Sequence, residues 1–335
     1  MTSSTPPSWS KRDYARLARQ VARVARDVAR QRRRHGPRRP NWGFRLECLV
    51  ELAQRLQRPL HDVDDARKLQ LLRHLIPPVQ KPHPQLQQEQ VVVAGVPCVR
   101  VRRRRGPAPE ACLVYVHGGG YVFGSPTGAG GWFNALLDGW PGEVLSVDYR
   151  LCPEHPWPAP LDDAMAVVDD CEQRFGTQGV VLAGDSAGGA CVLSCGLRRR
   201  HEGKANLAGI VAISPWVNHA AQQQSYDQNA DSDLLLEATV RFCATQLVTD
   251  DDTWLQPAHC DVHGLPPVQL VVGGGELFAD DLLAFHDQLR QAQVDVELVV
   301  GEHMPHVYVQ LAALCEEGRR DEQAMVRFVR RQTRR

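Results

Sequence analysis

The stretch from Gly179 to Ala190 constrains this chain more than any other. Gly179-Val-Val-Leu-Ala183 is an apolar run of the length and composition of a buried strand. Gly184-Asp-Ser-Ala-Gly-Gly189 follows at once, and its small residues lead into a predicted helix. A strand that becomes a helix within so few residues forces the central residue into a strained backbone, with its side chain projecting outward. Gly184 and Gly188 flank that residue because the two arms of the turn come too close for a Cβ. The projecting residue is Ser186, a candidate nucleophile.

A second element lies upstream. Cys112-Leu-Val-Tyr-Val116 reads as a buried strand, followed by His117-Gly-Gly-Gly120. A serine that attacks an acyl carbonyl generates a tetrahedral oxyanion, which needs preorganised N–H donors in a dry site. Consecutive glycines expose their amides, so Gly118 and Gly119 are expected to donate from one side and Ala187 from the other. A phosphate-binding loop would continue with Lys-Ser or Lys-Thr; here Tyr121-Val122-Phe123 follows.

A serine hydroxyl needs a base, and one histidine among 13 means little without its position. Val296–Val300 reads as the last strand, and the loop Gly301-Glu-His-Met-Pro-His306 follows it, with a helical pattern from about Val307. His306 abuts that helix start and is the expected base; His303 reads as a solvated or loop-fixing residue. Val268–Val272 is the preceding strand, and Glu276 is the first carboxylate beyond its end, where α/β sheets place catalytic groups. Glu276 is therefore the expected acid. Asp280 and Asp281 read as first-turn residues of the following helix, favoured there by the helix dipole.

With these elements in order, the chain resembles the hormone-sensitive-lipase-like esterases of the α/β-hydrolase superfamily. The resemblance rests on His117-Gly-Gly-Gly-Tyr-Val-Phe-Gly-Ser125, Asp148-Tyr-Arg-Leu-Cys-Pro-Glu-His155, Gly184-Asp-Ser-Ala-Gly-Gly189 and Ser214-Pro-Trp216. It implies an α/β-hydrolase fold, a mostly parallel central sheet flanked by helices, with a helical cap. It also implies Ser186 as nucleophile, His306 as base, and Gly118, Gly119 and Ala187 as oxyanion donors. Where relatives carry Asp-Pro-Leu-x-Asp this chain has Glu276-Leu-Phe-Ala-Asp280, which aligns Glu276 with the acid. The segment Pro126–Gly131 is unusually rich in glycine. The Asp148-Tyr149-Arg150 block reads as structural, with Arg150 expected to pair with Glu154.

The organisation follows from the same pattern. Residues 1–85 are expected to form an N-terminal helical cap region, ending in a Pro-rich stretch. Residues 86–335 form the catalytic domain, opening on a hairpin of Gln90–Ala94 and Pro97–Arg103. The strand–helix alternation breaks at about 217–252, an expected cap insertion. Leu17, Val21, Val24 and Val28 recur at helical spacing in an Arg-rich segment. That helix is expected to pack as part of the cap; contact with an anionic membrane surface is the second reading.

The formal net charge of the 335 residues is zero, which gives no reason to expect nucleic acid as a partner. Ten cysteines are scattered without Cys-x-x-Cys spacing, and no apolar leader or membrane-length run is present. A cytoplasmic protein with reduced thiols is expected. No metal or organic cofactor is required by this chemistry. The expected function is a serine carboxylesterase acting on small-molecule, short-to-medium acyl esters through an acyl-enzyme. An amidase or deacetylase using the same triad is the alternative, and a non-catalytic ligand receptor a more distant one. Oligomeric state is not legible, and a homodimer stays open.

Overall fold

The computed structural model describes residues 10–75, 83–127, 131–247 and 253–334. Most of the Pro-rich stretch (76–82), the centre of the glycine-rich segment (128–130) and the end of the expected insertion (248–252) lie outside the described residues.

The hairpin comes first. β1 (Leu86–Val93) and β2 (Val96–Arg103) pair antiparallel across Ala94-Gly95, both at positive φ (48° and 84°). Two left-handed residues match the twist of the flanking strands. The expected hairpin is therefore present, with β1 starting four residues earlier than Gln90. Six further strands are β3 (Ala111–Val116), β4 (Gly142–Val147), β5 (Val180–Asp185), β6 (Gly209–Ile213), β7 (Val268–Gly273) and β8 (Val296–Gly301). The sheet order is β1-β2-β4-β3-β5-β6-β7-β8. β2 meets β4 antiparallel, and every later pairing is parallel.

Parallel strands covered on both faces lose the polar alternation of a one-sided sheet. β3, β5, β6 and β7 are buried at every position. Their side chains divide between two cores. Cys112, Val114 and Val116 face α5 (Ala159–Phe175), α6 (Ala187–His201) and α9 (Ala279–Gln291). Leu113 and Tyr115 face α4 (Phe133–Leu137) and α10 (Glu316–Gln332).

Among the described residues three α-helices precede the sheet: α1 (Lys11–His35), α2 (Phe44–Gln57) and α3 (Asp65–Leu75). A capping box between Ser10 and Asp13 starts α1. Val24 and Val28 are buried, whereas Val21 is 45% exposed, so only the second half of the expected stripe is packed. Leu46 and Val50 carry α2 into the α10-side core. The segment between β6 and β7 carries the short helix α7 (Ser225–Gln228) and α8 (Glu237–Thr245). The two appended regions are bonded to each other. The Gln54 amide donates to the Ala230 and Asp233 carbonyls at 2.9 Å, and the Gln57 amide to Leu234 O at 2.7 Å.

One local expectation is corrected, and another is met only in part. Arg150 does not pair with Glu154. Its backbone N–H and guanidinium both reach Asp163 on α5, at 2.9 Å and 2.8 Å, a fork that Glu154 four residues on cannot match. Glu154 instead takes both terminal nitrogens of Arg73 on α3, each at 2.7 Å. The helix expected from about Val307 is present only as a short 3-10 helix. That residue turns left-handed (φ 50°), a short 3-10 turn spans Tyr308–Leu311, and α10 begins only at Glu316. Among the described residues no helix is long and apolar enough to cross a membrane.

Candidate active site

Ser186 sits at φ 55°, ψ −123°, between β5 and α6. A non-glycine residue tolerates that conformation only when its surroundings over-determine it. They do: its N–H donates to Ile213 O at 2.8 Å, and its carbonyl accepts from Trp216 N at 3.0 Å. A Cβ on Gly184 would collide with the Gly188 carbonyl, and one on Gly188 with the Val116 and His117 carbonyls. The small residues around the serine are therefore dictated by backbone crossing backbone.

Glu276 and His306 leave the ends of neighbouring strands β7 and β8. Both are buried, and His306 Nδ1–H donates to Glu276 Oε2 at 3.1 Å. The other carboxylate oxygen accepts from Gly273 N at 3.3 Å. With Nδ1 so engaged, His306 presents Nε2, which is buried and has no hydrogen-bond partner. His306 and Ser186 are tied to the same stretch. Val307 N donates to Ser214 Oγ at 3.1 Å, one residue after the Ile213 carbonyl that holds Ser186. Asp280 is elsewhere engaged: its Oδ2 accepts from Ser225 N at 2.8 Å, and the neighbouring Asp281 accepts from Asn218 at 2.8 Å. Both sit in the first turn of α9, tying down the β6–β7 segment. His303 is at the surface, 3.6 Å from the Glu302 carboxylate.

One carboxylate near the base was not picked out from the sequence. Asp233, in the β6–β7 segment, is completely buried. Its Oδ1 accepts from His306 N (2.9 Å) and Leu234 N (2.6 Å), and its Oδ2 from Leu277 N (2.7 Å). It thus grips the backbone of the base and of the residue after the acid. Burial pushes its pKa up to about 6, against the charge of His306 and the pull of those amides. Burial alone would lower the His306 pKa. The Glu276 hydrogen bond and the charges of Glu276, Asp233 and Asp185 outweigh it and hold the imidazole above its ordinary 6.5.

The expected oxyanion donors divide. Gly118 N–H already donates to Asp185 Oδ1 at 3.0 Å, so it is not free to meet an anion, which corrects its assignment. Tyr115 OH donates to the same oxygen at 2.5 Å, and the buried Asp185 ties β3 to the turn that presents Ser186. Gly119, Gly120 and Ala187 amides meet no acceptor among the described residues. Gly119 (φ 118°) and Gly120 (φ 58°) turn the chain there, and both Val122 N and Phe123 N close back on Gly119 O at 3.0 Å. The free Gly120 amide was not picked out from the sequence, because three successive glycines carry no signal for which N–H is bonded elsewhere. His117 supports the loop. Its Nδ1 lies 2.7 Å from Gly118 O, its ring stacks on Tyr149 at 4.3 Å, and burial pushes its pKa down to about 4. Arg73 bonds the loop from outside, donating to Val122 O at 2.9 Å.

An aromatic wall borders the base. Phe278 stands edge-on to His306 at 5.0 Å and stacks with Trp216 at 6.3 Å, and Tyr226 of α7 meets Phe278 at 6.1 Å. Among the described residues no cluster of His, Cys, Asp and Glu could hold a metal ion. All ten cysteines are free thiols.

The comparisons with known proteins bear on this geometry directly. Residues 113–310 match a family model described as the alpha/beta hydrolase fold. An acetyl-hydrolase of Streptomyces hygroscopicus is 34% identical over 226 residues, covering 66% of this chain and 76% of that protein. The carboxylesterase NlhH of Mycobacterium tuberculosis is 30% identical over 252 residues, covering 70% and 79%. Among solved structures, an esterase from the bacterial hormone-sensitive lipase family superposes with a TM-score of 0.72 at 27% identity, over 94% of this chain and 99% of that one. Fold, family model and relatives converge: the chain belongs to the α/β-hydrolase family and is a carboxylic ester hydrolase of the hormone-sensitive-lipase-like kind.

Proposed function

We propose that this esterase cleaves short-to-medium acyl esters with Ser186 as nucleophile, His306 as general base and Glu276 as the orienting acid. Ser186 Oγ attacks the acyl carbonyl while His306 Nε2 takes its proton. The carbonyl oxygen becomes an oxyanion held by the Gly119, Gly120 and Ala187 amides. His306 returns the proton to the departing alcohol, leaving an acyl-serine, and a water activated by the same imidazole releases the acid. Glu276 keeps the proton on Nδ1 and stabilises the imidazolium. Asp233 is a positioning residue that holds the backbone under both partners. The observation that carries this reading is the buried His306: Nδ1 bound to Glu276, Nε2 without a partner, and its backbone tied to the stretch that holds Ser186.

The further assignments rest on the same frame. Residues 1–85 and the insertion around 217–252 are proposed to form one cap, supported by the hydrogen bonds of Gln54 and Gln57. The partner is a small-molecule ester, and no nucleic acid is needed for the reaction. A cytoplasmic location is supported by the ten free thiols, nine of them off the β-hairpin and most of them buried. An amidase would keep every triad contact and differ only in what the aromatic wall admits. A receptor would have no use for the intact Glu276–His306 pair.

The test is a panel of acyl esters of graded chain length with acetanilide-type amides alongside, followed by a serine-directed organophosphate. Ester turnover falling off at long chains, with label on Ser186 alone, is the expected result. Faster turnover of the amides, or label on another serine, would reject it.

A further inference from the structure

The outer face of α1 is not accounted for by a role in covering the site. Arg12, Arg16, Arg19, Arg23, Arg26, Arg30 and Arg33 alternate at spacings of four and three. That spacing keeps all seven on one side of a helix of 3.6 residues per turn. They lie opposite Leu17, Val24 and Val28, whose side of the helix is turned toward the protein. All seven are exposed, and among the described residues none has an ion-pair or hydrogen-bond partner. Other arginines of this region are neutralised: Arg32 by Glu47 at 2.6 Å, Arg38 by Glu51 at 2.7 Å, Arg55 by Asp27 at 2.8 Å.

The stripe is electrostatically costly. Like charges three and four residues apart on a helix repel one another. Ten basic residues against Asp13 and Asp27 leave α1 at +8, in a chain whose total is zero. The remainder is therefore −8, and the positive pole is one exposed rod. Solubility calls for mixed charge, not segregation of this kind.

We propose that the arginine face of α1 docks this esterase onto an anionic lipid bilayer. From Arg12 to Arg33 the stripe runs about 31 Å at a rise of 1.5 Å per residue. A straight convex rod touches a plane along its whole length, and a bilayer presents phosphates in a plane. Because Val24 and Val28 are held against the protein, the contact is electrostatic adsorption through arginines, without burial of an apolar helix face. The placement suits the chemistry. α1 packs on α2, Gln54 of α2 holds the Asp233 carbonyl, and the Asp233 carboxylate holds His306. Adsorption through α1 brings the cover of the site to the surface where acyl esters accumulate. The stripe itself carries no aromatic side chain to stack on bases: Tyr14, the aromatic residue of α1, is exposed but falls about 200° around the helix from Arg12, on the side away from the arginines. A second copy that meets this face with its own α1 presents the same charge and is repelled, which rules out a symmetric pairing through this helix.

The test uses the full chain and vesicle co-sedimentation. Vesicles of phosphatidylcholine with about 30 mol % phosphatidylglycerol are expected to bind at least about 100-fold more tightly than pure phosphatidylcholine at low salt. Raising the salt from about 50 to about 200 mM should weaken binding by about tenfold or more. A variant carrying R16Q, R19Q, R23Q and R26Q should lose about tenfold or more in vesicle binding. Its kcat/KM on a water-soluble short ester should be unchanged, since none of the four touches the triad. Equal binding to neutral and anionic vesicles by the unmodified protein overturns the proposal even if the variant fails to fold. So does a folded variant that binds as well as the parent, or duplex DNA that displaces the protein from the vesicles at matched phosphate concentration.

Discussion

Glu276→Gln is the substitution whose consequence the geometry specifies most closely. Glutamine has the same shape but one acceptor and one donor where the carboxylate has two acceptors. One carboxylate oxygen receives Gly273 N–H at 3.3 Å, the other His306 Nδ1–H at 3.1 Å. If the amide oxygen keeps Gly273, the NH2 group faces Nδ1 and can only donate to it. The imidazole proton is then driven to Nε2, where it blocks acceptance of the Ser186 proton. If the amide is flipped, its NH2 opposes Gly273 N–H, two donors in a buried site, at a cost of about 1–3 kcal/mol. The first arrangement is thus favoured, and it is the unreactive tautomer. The imidazolium also loses its counter-charge. Loss of about three to four orders of magnitude in kcat is expected, about 4–5.5 kcal/mol in barrier. The assay is steady-state hydrolysis of a soluble short-chain ester, with thermal unfolding as the control for folding. Asp280→Asn is the comparison, and should stay within about tenfold of the parent because Asp280 accepts from Ser225 N rather than from His306. A Glu276→Gln enzyme within tenfold of the parent, or an Asp280→Asn enzyme that is the more damaged, refutes the reasoning.

Other outcomes follow from the same contacts. Ser186→Ala should remove about five to six orders of magnitude of turnover and leave the thermal midpoint unchanged, since the two residues differ by one atom on a half-exposed turn. Asp233→Asn removes a negative charge that helps hold the His306 pKa up, so that pKa falls. Because the neutral imidazole is the base, the rising limb of kcat/KM against pH should move to lower pH; a limb that stays in place contradicts the assignment. Gly188→Ala should cost about 3 kcal/mol or more in denaturant titration, because its Cβ meets two backbone carbonyls that cannot yield. Gly203→Ala, at φ 70° with nothing within 4 Å, should cost only about 1 kcal/mol, and equal losses for the two would undo the argument.

What could be read in advance was whatever depends on short spacing and continuous burial. β3, β5 and β7 are apolar at nearly every position because both faces are covered, so their runs stood out. Ser186 was legible because the glycines around it answer to a local steric demand. Glu276 and His306 were legible from their places just past the ends of β7 and β8. The rest depends on who meets whom across the chain. Asp233 lies in a polar stretch of the β6–β7 segment, 73 residues from the amide it grips. Arg150 had an acid four residues away and chose one 13 residues away, because only Asp163 reaches its N–H and its guanidinium together. Gly118 was misassigned for the same reason: its N–H is taken by a side chain 67 residues on.

Arg73 gives the N-terminal helices a consequence beyond shelter. From α3 its guanidinium donates to Val122 O, to Cys152 O at 3.1 Å, and to both oxygens of Glu154. One side chain thereby clamps the loops that follow β3 and β4. The first of these holds Gly119 and Tyr121 at positive φ, conformations with little room for error. Without α3 the sheet, the nucleophile and the base would all remain, but the loop would sample many shapes. Each substrate would then have to order the anion-binding amides itself, spending its own binding free energy on preorganisation. Such an enzyme would be slow for want of rigidity rather than of chemistry, and its deficit would lie in activation entropy.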